Sequence, residues 1–168
     1  MIDFRRVEGT NSGDLGLVED LARTTWREHY TPIIGSEQVE YMLRNFQSAT
    51  AIARQIEEGY AYWLLFYWDD PAGYLAYVKQ SDREGFQLSK LYVRSDRRGL
   101  GLGKAGLGLV EDRCRQRGLD RIWLTVNKYN SASIAWYYHM GFDHAGAQVA
   151  DIGGGFVMDD YILEKPLG

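Results

Sequence analysis

Eight consecutive residues, Arg97-Arg98-Gly99-Leu100-Gly101-Leu102-Gly103-Lys104, combine three cations with three glycines. They stand between an apolar run that ends at Val93 and a helical pattern that begins at Leu102. A strand-to-helix junction of that kind is an anion site on physical grounds. The first backbone N–H groups of a helix lack intrahelical acceptors and lie at the positive end of its dipole, and glycine lets the main chain approach a phosphate closely. The plainer reading is a flexible turn with solvated arginines. Against it, a turn needs only one or two glycines, and each glycine in the first helical turn costs about 1 kcal/mol. Two nucleotide motifs come near. Gly101-Leu102-Gly103-Lys104-Ala105-Gly106 spells the dinucleotide pattern G-x-G-x-x-G, but the next strand ends at Val126-Asn127 with no carboxylate for a ribose. The nucleoside triphosphate loop G-x-x-x-x-G-K-[ST] is one residue too long for the interval from Gly99 to Gly103, and Ala105 stands where it requires a hydroxyl.

A second constellation lies downstream, Asn130-Ser131-Ala132-Ser133-Ile134-Ala135-Trp136-Tyr137-Tyr138-His139-Met140-Gly141-Phe142. Asn130 is suited to cap a helix, and Tyr137 is either a core aromatic or a proton donor. Together the two segments resemble the GCN5-related N-acetyltransferase superfamily. Arg98-x-x-Gly101-x-Gly103 is similar to its (Q/R)-x-x-G-x-(G/A) pyrophosphate loop, and Asn130, Ser133, Tyr137, Gly141 and Phe142 match its N-x-x-(A/S)-x-x-x-Y-x-x-x-G-F segment residue by residue. The stretch from Phe156 to Lys165, with Lys90-Leu91-Tyr92-Val93, also resembles a bacterial subgroup that includes spermidine/spermine N-acetyltransferases.

That resemblance implies an α/β fold with a mixed sheet, an antiparallel meander running into a β-α-β crossover, with about seven strands and four to five helices. It implies acetyl-CoA as cosubstrate and no metal. Backbone N–H groups of Arg98, Gly99, Leu100, Gly101, Leu102, Gly103 and Lys104 would hold the pyrophosphate, and main-chain groups of Leu91, Tyr92 and Val93 would line the pantetheine and polarise the thioester. Asn130 would hydrogen-bond the pantetheine arm, with Ser133 in the same site. Tyr137, protonated near the ordinary phenol pKa of ~10, would be the general acid. The implied activity is direct transfer of an acetyl group to a primary amine of a small molecule, polyamines included. The alternatives are a protein or peptide amine, or a non-catalytic acetyl-CoA-binding module.

The general base is not marked by any motif. Glu28, Asp159, Asp160, His29 and Tyr30 are the candidates, each of which has an ordinary structural or solvated role as its alternative. His29, His139 and His144 lack metal-ligand spacing. Cys114 falls on the apolar side of a helix and reads as a buried structural thiol, and Arg113, Arg115 and Arg117 complement the end of that helix.

The elements that position these residues follow from periodicity. A strand over Ile2–Val7 leads through a Gly/Asn/Ser turn to a helix from Asp14 with apolar positions to Trp26; Pro32 and Gly35 separate it from a second helix, capped by Ser36 and carrying apolar positions to Phe46. A third helix, Ala49–Glu58, stops at Gly59. Tyr60–Trp68, Gly73–Val78 and Phe86–Val93 read as three strands, linked through Asp69–Ala72 and Ser81–Gly85. Such short links demand antiparallel neighbours. A helix from Leu102 to Gly118, a strand Arg121–Val126, a helix Ser131–His139 and a closing strand pair, Phe142–Val149 and Phe156–Leu163, complete the chain.

Composition limits the partners. The 168 residues suit one domain, with 45% hydrophobic and 25% charged residues. The net charge of -4 supplies no general field for nucleic acid, so an anion must be held locally. One cysteine excludes an internal disulfide, and charges interrupt the amino terminus where a signal peptide needs an apolar run. A cytoplasmic protein that binds neither nucleic acid nor membrane is expected, and a homodimer through exposed strands stays open.

Overall fold

The computed structural model describes residues 1–168. Its strands are β1 (Ile2–Arg6), β2 (Ala61–Tyr67), β3 (Asp70–Val78), β4 (Phe86–Val93), β5 (Arg121–Asn127), β6 (Asp143–Gly153) and β7 (Phe156–Pro166). Its helices are α1 (Ser12–Ile34), α2 (Ser36–Phe46), α3 (Ala49–Glu57), α4 (Leu102–Gln116) and α5 (Ser131–His139), with a 3-10 turn at Ser95–Arg97. The strands form one sheet in the order β1-β2-β3-β4-β5-β7-β6. Every neighbouring pair is antiparallel except β4 and β5, which α4 connects in parallel.

Each face of the sheet carries its own core. On one face Trp63, Leu65, Leu75, Leu88, Leu124 and Leu163 pack against Leu102, Leu107, Val110 and Cys114 of α4. On the other, Tyr62, Leu64, Tyr74 and Ala76 pack against Leu15, Val18, Leu21, Ala22 and Trp26 of α1 and against Val39, Met42 and Leu43 of α2. Gly106 lets α4 settle closely: a methyl group there would sit 3.2 Å from each of Leu65, Leu75 and Leu91.

Several boundaries differ from the sequence reading. Pro32 lies inside the last turn of α1, and Gly35 alone makes the break, its φ of 85° serving both helix ends. Ser36 is the first residue of α2 and makes no capping hydrogen bond. Asn11 and Ser48 cap α1 and α3 with their side chains. The β2–β3 turn falls on Trp68 and Asp69, both at positive φ, so that Asp70 begins β3. Arg94 and Arg97 hold the Asp70 carboxylate at 3.1 and 2.9 Å, which binds that turn to the end of β4. The closing hairpin runs on to Gly153 because Gly153, Gly154 and Gly155 all take positive φ. A Cβ on Gly154 would fall 2.7 Å from the Tyr41 ring, whose hydroxyl donates to Ile152 O at 2.7 Å, so α2 seats the hairpin tip.

Candidate active site

The glycine loop meets α4 as the anion argument requires. Gly99 and Gly101 have φ of 78° and 86°, and space around both is open. Gly101 is the N-cap and has no side chain to cap with; the first intrahelical bond is Ala105 N–H to Gly101 O at 3.0 Å. The amides of Leu102, Gly103 and Lys104 therefore have no helical acceptor. Arg98 and Lys104 are exposed, whereas Arg97 is committed to Asp70. The Trp136 ring of α5 closes on this turn, 3.2 Å from where a Cβ on Gly103 would stand.

Beside the loop the sheet is open. The β4 and β5 strands pair only at Phe86–Ile122 and Gln87–Trp123, although β4 continues to Val93 and β5 to Asn127. Arg94 N–H donates to Ala72 O at 2.8 Å, and antiparallel alternation then turns the main chain of Tyr92 and Lys90 toward β3 as well. The N–H and C=O of Leu91 and Val93 point the opposite way, into the gap. The three residues that the sequence groups together thus divide: Leu91 and Val93 offer main chain to the gap, and Tyr92 offers its phenol to the α1 side.

The α5 helix borders the gap. The Asn130 side chain, almost wholly buried, accepts from Ser133 N–H at 3.4 Å and contacts His29 Nε2 at 3.0 Å. Because Asn130 Oδ1 already serves as acceptor for the cap, His29 Nε2 must be the donor, which leaves Nδ1 bare. Burial lowers the His29 pKa, the hydrogen bond to Asn130 opposes this, and the nearby Arg98 charge lowers it further. His29, named as a base candidate, is thereby a brace between α1 and α5. Tyr137 packs edge-on against Trp136 and Phe142, at 5.1 and 5.3 Å between ring centroids. Burial pushes its phenol pKa well above the ordinary value, with the neighbouring Tyr30 adding to the effect. It is therefore protonated throughout the neutral range but is a weaker acid than an ordinary phenol.

On the α1 side, Tyr30 and Tyr92 share a hydrogen bond of 2.8 Å, and the rings of Trp26, Tyr30 and Tyr92 meet edge-on or tilted with centroids within 6.0 Å of one another. Burial pushes the Tyr30 pKa up to about 12. Asp160 of β7 is 1% exposed, and its Oδ1 has no hydrogen-bond partner. Burial, then repulsion from Asp159, raises its pKa to about 6. Asp159 is held by Lys128 at 2.8 Å, and Glu28 is exposed. Cys114 donates to Arg121 O from within the α4 core. The structure has no group of three or more His, Cys, Asp or Glu placed to hold a metal, and no helix long and apolar enough to cross a membrane.

Residues 18–142 match the model of the acetyltransferase (GNAT) family. The chain belongs to that family. The solved PaiA N-acetyltransferase from Thermoplasma acidophilum in complex with coenzyme A has the same fold, with a TM-score of 0.79 at 23% identity over 99% of both chains. The uncharacterized N-acetyltransferase YjgM of Escherichia coli is 30% identical over 90 residues, 52% of this chain and 54% of that protein. An L-methionine sulfoximine/L-methionine sulfone acetyltransferase of Pseudomonas aeruginosa is 34% identical over 84 residues, 48% of each protein. The chain thus spans about half the length of these curated relatives.

Proposed function

We propose that this member of the GNAT family is an acetyl-CoA-dependent N-acetyltransferase acting on the primary amine of a small molecule. The observation that carries the reading is the opened β4–β5 pair, whose free main-chain edge at Leu91 and Val93 ends beside the uncapped amides of α4. That arrangement fits the two ends of one elongated ligand: an anionic pyrophosphate at the loop and an amide-bearing arm that can extend the sheet. The ligand contributes a thioester acetyl group. Amides 98–104, with Arg98 and Lys104, bind the phosphates. Leu91 and Val93 orient the arm, and a main-chain N–H at the gap polarises the acetyl carbonyl. Asn130, its Oδ1 occupied by Ser133 and His29, has Nδ2 left for the arm. Tyr137 holds the proton that the departing sulfur needs.

Polyamines are one class of acceptor within this reading. The contrasting reading is a module that binds acetyl-CoA without turnover. Tyr137→Phe separates them. We expect a fall in kcat of about 10²-fold or more, in line with the loss of a general acid, while coenzyme A affinity by calorimetry is unchanged. Absence of acetyl transfer by the unaltered protein to polyamines, amino acids, aminoglycosides and peptides would favour the binding module.

A further inference from the structure

The side of the gap that faces α1 carries two charges with no ionic partner. On that side of β5 and β7, Arg121 and Glu164 pair with each other at 2.8 Å. Asp160, also on β7, has the bare Oδ1 already described; only the Thr125 hydroxyl and the more distant Lys128 favour its charged form. Lys90 of β4 donates to Ser89 Oγ at 2.7 Å and meets no carboxylate. Burial alone draws its pKa down to about 8.

Lys90 faces this way because β4 is irregular. Leu88 pairs with Tyr77 and packs toward α4, and simple alternation would send Lys90 to that same side. One extra residue, Ser89, is inserted between the Tyr77–Leu88 and Ala76–Lys90 pairs. The bulge turns Lys90 to the face of Ala76 and Tyr92, where α1 lies. The two strands pair only before the bulge; carried on past it, that register would set Lys90 across the gap from Thr125 and Tyr92 across from Asn127, the β5 partner of Asp160. The cation thus lies on β4 at one edge of the gap, and the carboxylate lies on β7, one strand beyond the other edge and close enough to Tyr30 to act on it.

We infer that the acceptor is an amino-carboxylate, an amino acid or a near analogue, whose ammonium is held by Asp160 and whose carboxylate is held by Lys90. This rests on the acetyltransferase reading and narrows it. A buried carboxylate and a half-buried ammonium, too far apart to pair, each cost desolvation until a ligand supplies both counter-charges. A polyamine answers only one of them and brings a second cation toward Lys90. In the reaction the ammonium gives one proton to Asp160, which passes it to solvent. The nitrogen then bonds to the acetyl carbon as the carbon–sulfur bond breaks. Tyr137 delivers a proton to the sulfur and recovers one from the new amide nitrogen, so one proton is released overall.

The test is a matched series on the whole protein: L-norleucine, L-norleucinamide, pentylamine and spermidine, followed by the twenty amino acids. We expect amino acids to exceed their decarboxylated or amidated counterparts by tenfold or more in kcat/KM. In Lys90→Met that ratio should fall toward one. In Asp160→Asn transfer to every acceptor should fall at least a hundredfold, with coenzyme A binding, read by thermal shift, retained as the control for folding. Spermidine or pentylamine equalling the best amino acid, or Lys90→Met keeping the preference for a carboxylate, would overturn the inference and leave acetyl transfer standing. Transfer to no acceptor of either kind would overturn both.

Discussion

Asp160 sets the residue scale, because its cost in the free protein is measurable without any substrate. Its pKa rises from 3.8 to about 6, so the folded state binds its proton more tightly than the unfolded chain does. The sign follows from linkage: the group favours the folded state below about pH 4, and that favour is lost as pH rises through 6. At pH 7 the buried carboxylate, with no ion pair and a bare Oδ1, is therefore a burden on the order of 2–3 kcal/mol at most. Asp160→Asn should stabilise the protein at pH 7 by roughly that amount, with the gain gone by pH 4. Urea unfolding at the two pH values checks this, and equal stability of both proteins at pH 7 would mean that Thr125 and Lys128 already offset the burial of the carboxylate. The position of Tyr137 in a motif was readable, but the burial that moves its pKa depends on Trp136, Phe142 and Tyr30, the last of which comes from a distant helix.

At the scale of elements, α4 joins two glycine functions that a sequence shows alike. Gly106 stands inside the helix against the sheet, so Gly106→Val should cost about 1–3 kcal/mol by overpacking against three leucines. Gly101 stands in open space at positive φ, so Gly101→Ala should cost only about 1–2 kcal/mol of backbone strain yet weaken coenzyme A binding the more of the two. Thermal melts and calorimetry on the pair give the comparison, and the reverse ranking for ligand binding would contradict the role given to the loop. Strand β4 and helix α5 were readable to the residue, because apolar runs and local caps define them. The end of α1 was not, since Pro32 is tolerated in a final turn. The bulge at Ser89 left no sequence signal, because register depends on the partner strand.

Across the whole molecule, the sheet is a partition with an opening. The cofactor motifs lie toward α4 and α5, and the aromatic and charged groups lie toward α1, meeting only where β4 and β5 part. The place of the loop at a strand-to-helix junction and the Asn130 cap are legible because glycine turns and capping are local chemistry. Tyr30, Lys90, Tyr92 and Asp160 come from α1, β4 and β7 and share no spacing, so the sequence offers Tyr30 and Asp160 only among five base candidates, Tyr92 only for its main chain, and Lys90 no site role. The sequence singles out Arg97, Arg98 and Lys104 alike against a net charge of -4; the fold commits Arg97 to Asp70 and leaves Arg98 and Lys104 without an ion pair. The central claim is that one ligand spans the uncapped start of α4 and the free edge of β4. Amide chemical shifts during titration with coenzyme A test it most directly. The largest changes should fall on residues 98–104, on Leu91 and Val93, and on the Asn130 side chain; saturation with coenzyme A that leaves those amides unmoved would contradict a ligand spanning both elements.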